Sequence, residues 1–186
     1  MLAGVAREFS PTSYFDEKTL RFKDRASQML LCCLKAEQES SVPAEDTGLV
    51  LGTQYGSLQS QLNFQRTLEK GFRYLSPLEF PNTVINGPAS QANIVFGWRR
   101  LSATISNLGT AGLDAILYAC DQLRLGRAKT LVAGGLEELS VDVYSAHRSL
   151  LAPPGPVGPW SSVGLCLGEG AAAVWLQLAS QPQERP

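Results

Sequence analysis

Histidine is almost absent from this chain: His147 is the only one. Four cysteines, Cys32, Cys33, Cys120 and Cys166, never fall at C-x-x-C spacing. A zinc site needs closely and regularly spaced thiolate or imidazole ligands, so this set argues against any metal. The cysteines read instead as buried or half-buried thiols rather than a disulfide framework. Excess positive charge is missing too. The formal net charge is −1, which leaves no basic surface for nucleic acid or an anionic membrane. No run reaches the ~18 apolar residues of a membrane-spanning helix, and the opening MLAGVAREFS lacks the apolar segment of a secretory leader. The expected setting is the cytoplasm. The glycine-bearing turn Thr53–Ser57 lacks both the Lys-Ser/Thr ending and the G-x-G-x-x-G spacing of phosphate loops, so nucleotide is not expected. No cofactor is called for.

What is present suits a single α/β domain spanning 1–186. Of its 186 residues, 44% are hydrophobic and 18% charged, enough chain and apolar content for a real core. Residues 1–24 read as a loop-rich lead-in and 179–186 as a polar tail. A helix is predicted after Asp16, with Asp24 as an N-cap and Ala26, Met29, Leu30, Cys33 and Leu34 on one face. Gly48–Gly52 reads as a short buried strand. Residues 58–70 read as a helix with Leu58, Leu62, Phe64 and Leu68 directed inward.

The most organised stretch is Ala103–Glu137. Thr104-Ile105-Ser106 is β-leaning, and Asn107-Leu108-Gly109-Thr110 forms a turn. Leu113, Ile116, Leu117 and Cys120 then recur at i, i+3, i+4, i+7, one apolar helix face. Gly126 suits the end of that helix. Thr130–Ala133 reads as a buried parallel strand ended by Gly134-Gly135. A strand that turns sharply into a helix N-terminus is a common seat for a nucleophile, because the helix dipole and free N–H groups favour negative charge there.

Glu137-Glu138 invites comparison with an acid/base pair. Neighbouring side chains point apart, however, so the two cannot share one proton, and a solvated loop is the expectation. His147 falls on a helix with no cysteine or carboxylate at a supporting spacing. Pro153–Trp160 is a proline-rich loop.

Four segments together resemble the β-ketoacyl synthases, condensing enzymes of the thiolase superfamily. They are Phe15-Asp16 with Asp24-Arg25 and Gln28; Ser76-Pro77, Pro81, Thr83, Asn86 and Phe96-Gly97-Trp98-Arg99; the 103–137 elbow closing on Ala133-Gly134-Gly135; and Gly168-Glu169-Gly170-Ala171. The resemblance implies half of a thiolase-like layered fold, with a mixed sheet and a central helix after the elbow. It covers the N-terminal half of the family's pattern, without the histidines of the C-terminal half. The family's nucleophilic cysteine falls at Gly109, which has no side chain to acylate, so no catalytic residue is assigned. The resemblance also implies that Ile85, Asn86, Gly87, Gln91, Ile105, Leu108, Gly109 and Thr110 lie at an acyl pocket or dimer interface. Gly87 stands where many members carry a larger residue.

The expected function is that of a non-catalytic ketosynthase-like subunit resembling a shortened chain-length factor, partnering a condensing enzyme in fatty-acid- or polyketide-type biosynthesis. Two alternatives stay open. One is an acyl-transferring synthase completed by another chain, with Thr110 or Ser106 as nucleophile, although neither has a recognisable base. The other is a binding or scaffold module without acyl chemistry. The expected partner is a second copy or a full-length ketosynthase, with an acyl carrier protein as a further candidate. The helix face at Leu113–Cys120 would otherwise expose several hundred Å² of apolar surface.

Overall fold

The computed structural model describes residues 3–36, 42–147 and 167–179. The order is α1 (Glu17–Leu20), α2 (Arg25–Ala36), β1 (Thr47–Gly52), α3 (Leu58–Lys70), α4 (Gly87–Phe96), β2 (Ser102–Ile105), α5 (Ala111–Arg124), β3 (Thr130–Glu137), α6 (Val141–Ala146) and β4 (Gly170–Gln177), with single 3-10 turns at Pro11–Ser13, Ala44–Asp46, Phe72–Tyr74 and Phe80–Thr83. The lead-in is therefore partly helical. Asp16 Oδ1 caps α1 through Thr19 N, and Asp24 Oδ1 caps α2 through Ser27 N.

The sheet order is β2-β1-β3-β4. β1 pairs in parallel with both β2 and β3, whereas β3 and β4 are antiparallel. Side-chain alternation along β1 divides the core in two. Leu49 and Leu51 join Val132, Leu136 and the helices α2 and α4, where Met29, Leu30 and Leu34 are buried. Val50 faces the other way, onto Leu131, Ala133 and α5. A two-sided cover of this kind makes β1 buried at all six positions, as its unbroken apolar run requires.

Several expectations change. β3 does not stop at Gly134-Gly135 but continues to Glu137, because β4 passes so close that a Cβ at residue 134 would lie 2.0 Å from the Ala172 carbonyl oxygen. Gly134 keeps the strand going by making room for its neighbour. In α3 none of Leu58, Leu62, Phe64 and Leu68 is fully buried, and Leu68 is exposed.

In α5 the buried residues are Ala111, Ala115, Ala119, Gln122 and Leu123. Leu113 and Leu117 are 67% and 64% exposed, on the side away from the sheet. The helix thus has two apolar faces: a flat alanine face that lets it lie close on the sheet, and a leucine face left outward. Cys166, the 153–160 loop and most of the tail lie outside the described residues. Among the described residues no helix is long and apolar enough to cross a membrane.

Candidate functional site: a strand–turn–helix elbow

β2 ends at Ile105, and α5 starts six residues later at Ala111. Between them Leu108 takes φ +47°, a left-handed conformation that a leucine adopts only when its surroundings impose it. The turn is bound up by its own polar groups. Asn107 Nδ2 donates to Asp114 Oδ2 at 2.6 Å, and Thr110 Oγ1 lies 3.0 Å from the same oxygen and 3.1 Å from the Asn107 carbonyl. A carboxylate in the first turn also suits the positive end of the helix. Asp114 is a base within reach of Thr110, which the sequence did not reveal.

Gly109 stands at the apex. A Cβ built there meets no atom within 4 Å. It borders a recess of 400 Å³ lined by Gln54, Leu108, Gly135, Glu137 and Ala171 among others. Thr110 is absent from that lining. The helix can start this close to the sheet because position 52 is glycine: a Cβ there would sit 2.1 Å from the Ala111 carbonyl oxygen.

Glu137 is not in a solvated loop. Its carboxylate accepts hydrogen bonds from Thr53 Oγ1 (3.1 Å), Tyr55 N (3.2 Å) and Gln54 N, fixing the 53–55 turn on the rim of the recess. Glu138 points away from it, as adjacent strand residues must. It is packed near Asp24, Arg25 and Glu169, and burial, with Asp24 next, pushes its carboxyl up to about 7. His147 caps α6. Its Nδ1 is 2.9 Å from the Val143 carbonyl, which makes Nε2 the acceptor for the Tyr55 hydroxyl at 3.0 Å. The sole histidine thus holds the 53–55 turn from the other side.

The remaining candidates lie around this centre. Ile85 and Asn86 are exposed on the approach to α4, with Ile85 lining a 280 Å³ recess alongside Gln54 and Tyr55. Gly87 opens α4, where an added Cβ would lie 2.9 Å from the Pro81 carbonyl, so a larger residue does not fit the present backbone. Gln91 is half-buried along α4, Ile105 packs on the α5 side of the sheet, and Leu108 is 71% exposed. Gln54 belongs to both recesses and is the link between the two groups of candidates. Among the described residues no cluster could hold a metal.

A mixed sheet carrying a strand–turn–helix elbow at the ends of its parallel strands is the layered fold of thiolase-like condensing enzymes. The model of the β-ketoacyl synthase N-terminal domain matches residues 5–181, and the chain belongs to that family. It is 29% identical to 3-oxoacyl-[acyl-carrier-protein] synthase 2 of Vibrio harveyi, over 94% of this chain and 46% of that one. It is also 29% identical to the putative mitochondrial 3-oxoacyl-[acyl-carrier-protein] synthase of Schizosaccharomyces pombe, over 96% and 46%. The chain therefore spans about half the length of these curated relatives.

Among solved structures, the ishigamide ketosynthase/chain length factor matches with a TM-score of 0.78 at 24% identity, over 98% of this chain and 51% of that one. The ketosynthase ApeO in complex with its chain length factor ApeC, from Xenorhabdus doucetiae, matches with a TM-score of 0.63 at 16% identity, over 89% and 62%. These two similarities show the fold.

Proposed function

We propose that this chain serves as a non-catalytic ketosynthase-like subunit of the chain-length-factor kind, pairing in the cytoplasm with a condensing enzyme of fatty-acid- or polyketide-type biosynthesis. The observation that carries this reading is Gly109. The elbow around it is built in full, with its strained Leu108, its turn held by Asn107 and Asp114 and its recess, yet its apex offers no side chain to form a thioester. Nucleophilic catalysis needs an activated thiol or hydroxyl at that point. A subunit that keeps the scaffold and lacks the nucleophile can still bind, shape or stabilise a neighbour.

The test is intact mass after incubation with acyl-carrier-protein thioesters. No adduct is expected. A second reading, acyl transfer completed by another chain, draws on the 3.0 Å contact between Thr110 Oγ1 and Asp114 Oδ2. A stoichiometric mass gain at Thr110 would establish that reading in place of the first.

A further inference from the structure

Arg25 opens α2, and its guanidinium is held through Nε and Nη2. Nε and Nη2 donate to the two oxygens of Glu169 at 3.1 and 2.6 Å, and Nη2 also reaches the Ala6 carbonyl at 3.2 Å. Glu169, its side chain 1% exposed, accepts in addition from Ala6 N at 2.9 Å and Leu139 N at 3.4 Å. One ion pair thus ties together the lead-in at Ala6, the start of α2, and the link between β3 and α6.

Glu138 presses against this clamp from the end of β3. Its Oε2 is sealed from solvent and has no hydrogen-bond partner among the described residues. Leaving a buried carboxylate oxygen unpaired is costly, and the cation facing Glu138, Arg25, is already paired with Glu169. Asp24 is already committed, accepting from Ser27 N at 2.9 Å and Ser60 Oγ at 3.2 Å.

We propose that Glu138 is a proton-controlled catch on the Arg25–Glu169 clamp: neutral, it leaves the guanidinium to Glu169, and ionised, it competes for that guanidinium and releases Ala6 and Leu139. The only chemical step is transfer of the carboxyl proton to solvent. The charged groups facing Glu138 are Asp24 and Arg25 from the start of α2 and Glu169 from the approach to β4. Glu137, next to it, is turned to the 53–55 turn.

Burial and then Asp24 raise the Glu138 carboxyl, Arg25 lowers it, Glu169 raises it, and the Ala26 N–H lowers it, with a balance at about 7 against an ordinary 4.5. In the opened clamp the ionised carboxylate faces the Arg25 guanidinium, so its carboxyl lies no higher than the ordinary value. A raised carboxyl favours the closed form fully below about 4.5. That favour is lost as pH rises to about 7 and is level above it. The limit is about tenfold per pH unit, reduced here because the group is partly exposed and screened.

The experiment is amide hydrogen exchange on the full chain at pH 5 and pH 8, corrected for intrinsic rates. Protection at Ala6 and Leu139 should fall about tenfold or more. Leu49, whose N–H is held by the Leu101 carbonyl in the sheet, should not change. Glu138→Gln should abolish the difference. Unchanged protection in the parent chain, loss that persists in the variant, or an equal loss at Leu49 would each overturn the proposal. If the variant does not fold, carboxyl NMR titration of the parent chain decides. A midpoint near 7 that coincides with the loss of protection at Ala6 and Leu139 supports the catch, and a midpoint near the ordinary carboxylate value, or one without that loss, removes it.

Discussion

Gly109 and Glu137 are the two residues on which the elbow turns, and each predicts a different outcome. Because a Cβ at 109 meets nothing within 4 Å, Gly109→Cys should fold with a stability change of no more than about 0.5 kcal/mol. Its thiol, at the N-terminus of α5, should react with iodoacetamide faster than Cys32, whose thiol burial pushes up. Equal or slower labelling at 109 would mean that this position is not the apex. Glu137→Ala would strip the partner from three donors at once, a loss of about 2–4 kcal/mol in urea unfolding. The elbow could be read from the sequence because turn residues and helix periodicity are local. The role of Glu137 could not: its partners are 82 to 84 residues away, and a carboxylate bonded to backbone N–H groups leaves no pattern in its own neighbourhood.

Among elements, α5 is the most exposed to test. Its inner face is alanine at positions 115 and 119, both 0% exposed, and its outer face is leucine at 113 and 117. Ala119→Leu should overpack the sheet contact and cost about 1–3 kcal/mol. Leu117→Glu should leave the melting temperature of the isolated chain nearly unchanged and weaken its association with a partner. If the glutamate variant unfolds instead, the leucine face is core and not interface. Periodicity identified this face as apolar and the resemblance placed it outward, where Leu113 and Leu117 are exposed, but neither pointed to the alanine face that meets the sheet. Closeness of packing decides that, and small residues win it. The same limit explains α3, where regular leucines found no deep cover.

At the scale of the whole molecule, two surfaces lie uncovered among the described residues: the outer face of α5 and β2, an edge strand of the sheet. An unpaired edge is a template for a second strand, and a two-fold pairing of like strands removes it. The interface is expected to include Ile85–Gln91 together with 103–106. Ile105→Asp should give monomer or aggregate in light scattering at micromolar concentration, whereas Gln181→Asp should change neither mass nor solubility. A stable monomer of 20.1 kDa for the parent chain would refute self-association. The layered fold itself was legible because its motifs sit on several separate elements in the right order. The Arg25–Glu169 clamp was not, although both residues belong to those motifs, since 144 residues separate the partners.

The antiparallel ladder between β3 and β4 also bears on how the chain is made. β3 is complete once residue 137 has been synthesised, but its second neighbour ends at residue 177. At roughly 5–20 residues per second, that interval is about 2–8 s. Throughout it, Thr130-Leu131-Val132-Ala133 offers one open row of backbone groups, followed by two glycines that put no side chain in the way of a foreign strand. Gly134 lets β4 pass so close in the finished sheet, and the same bare edge is expected to favour mispairing of the growing chain. Yield of folded protein should therefore depend on chaperone supply more than on final stability.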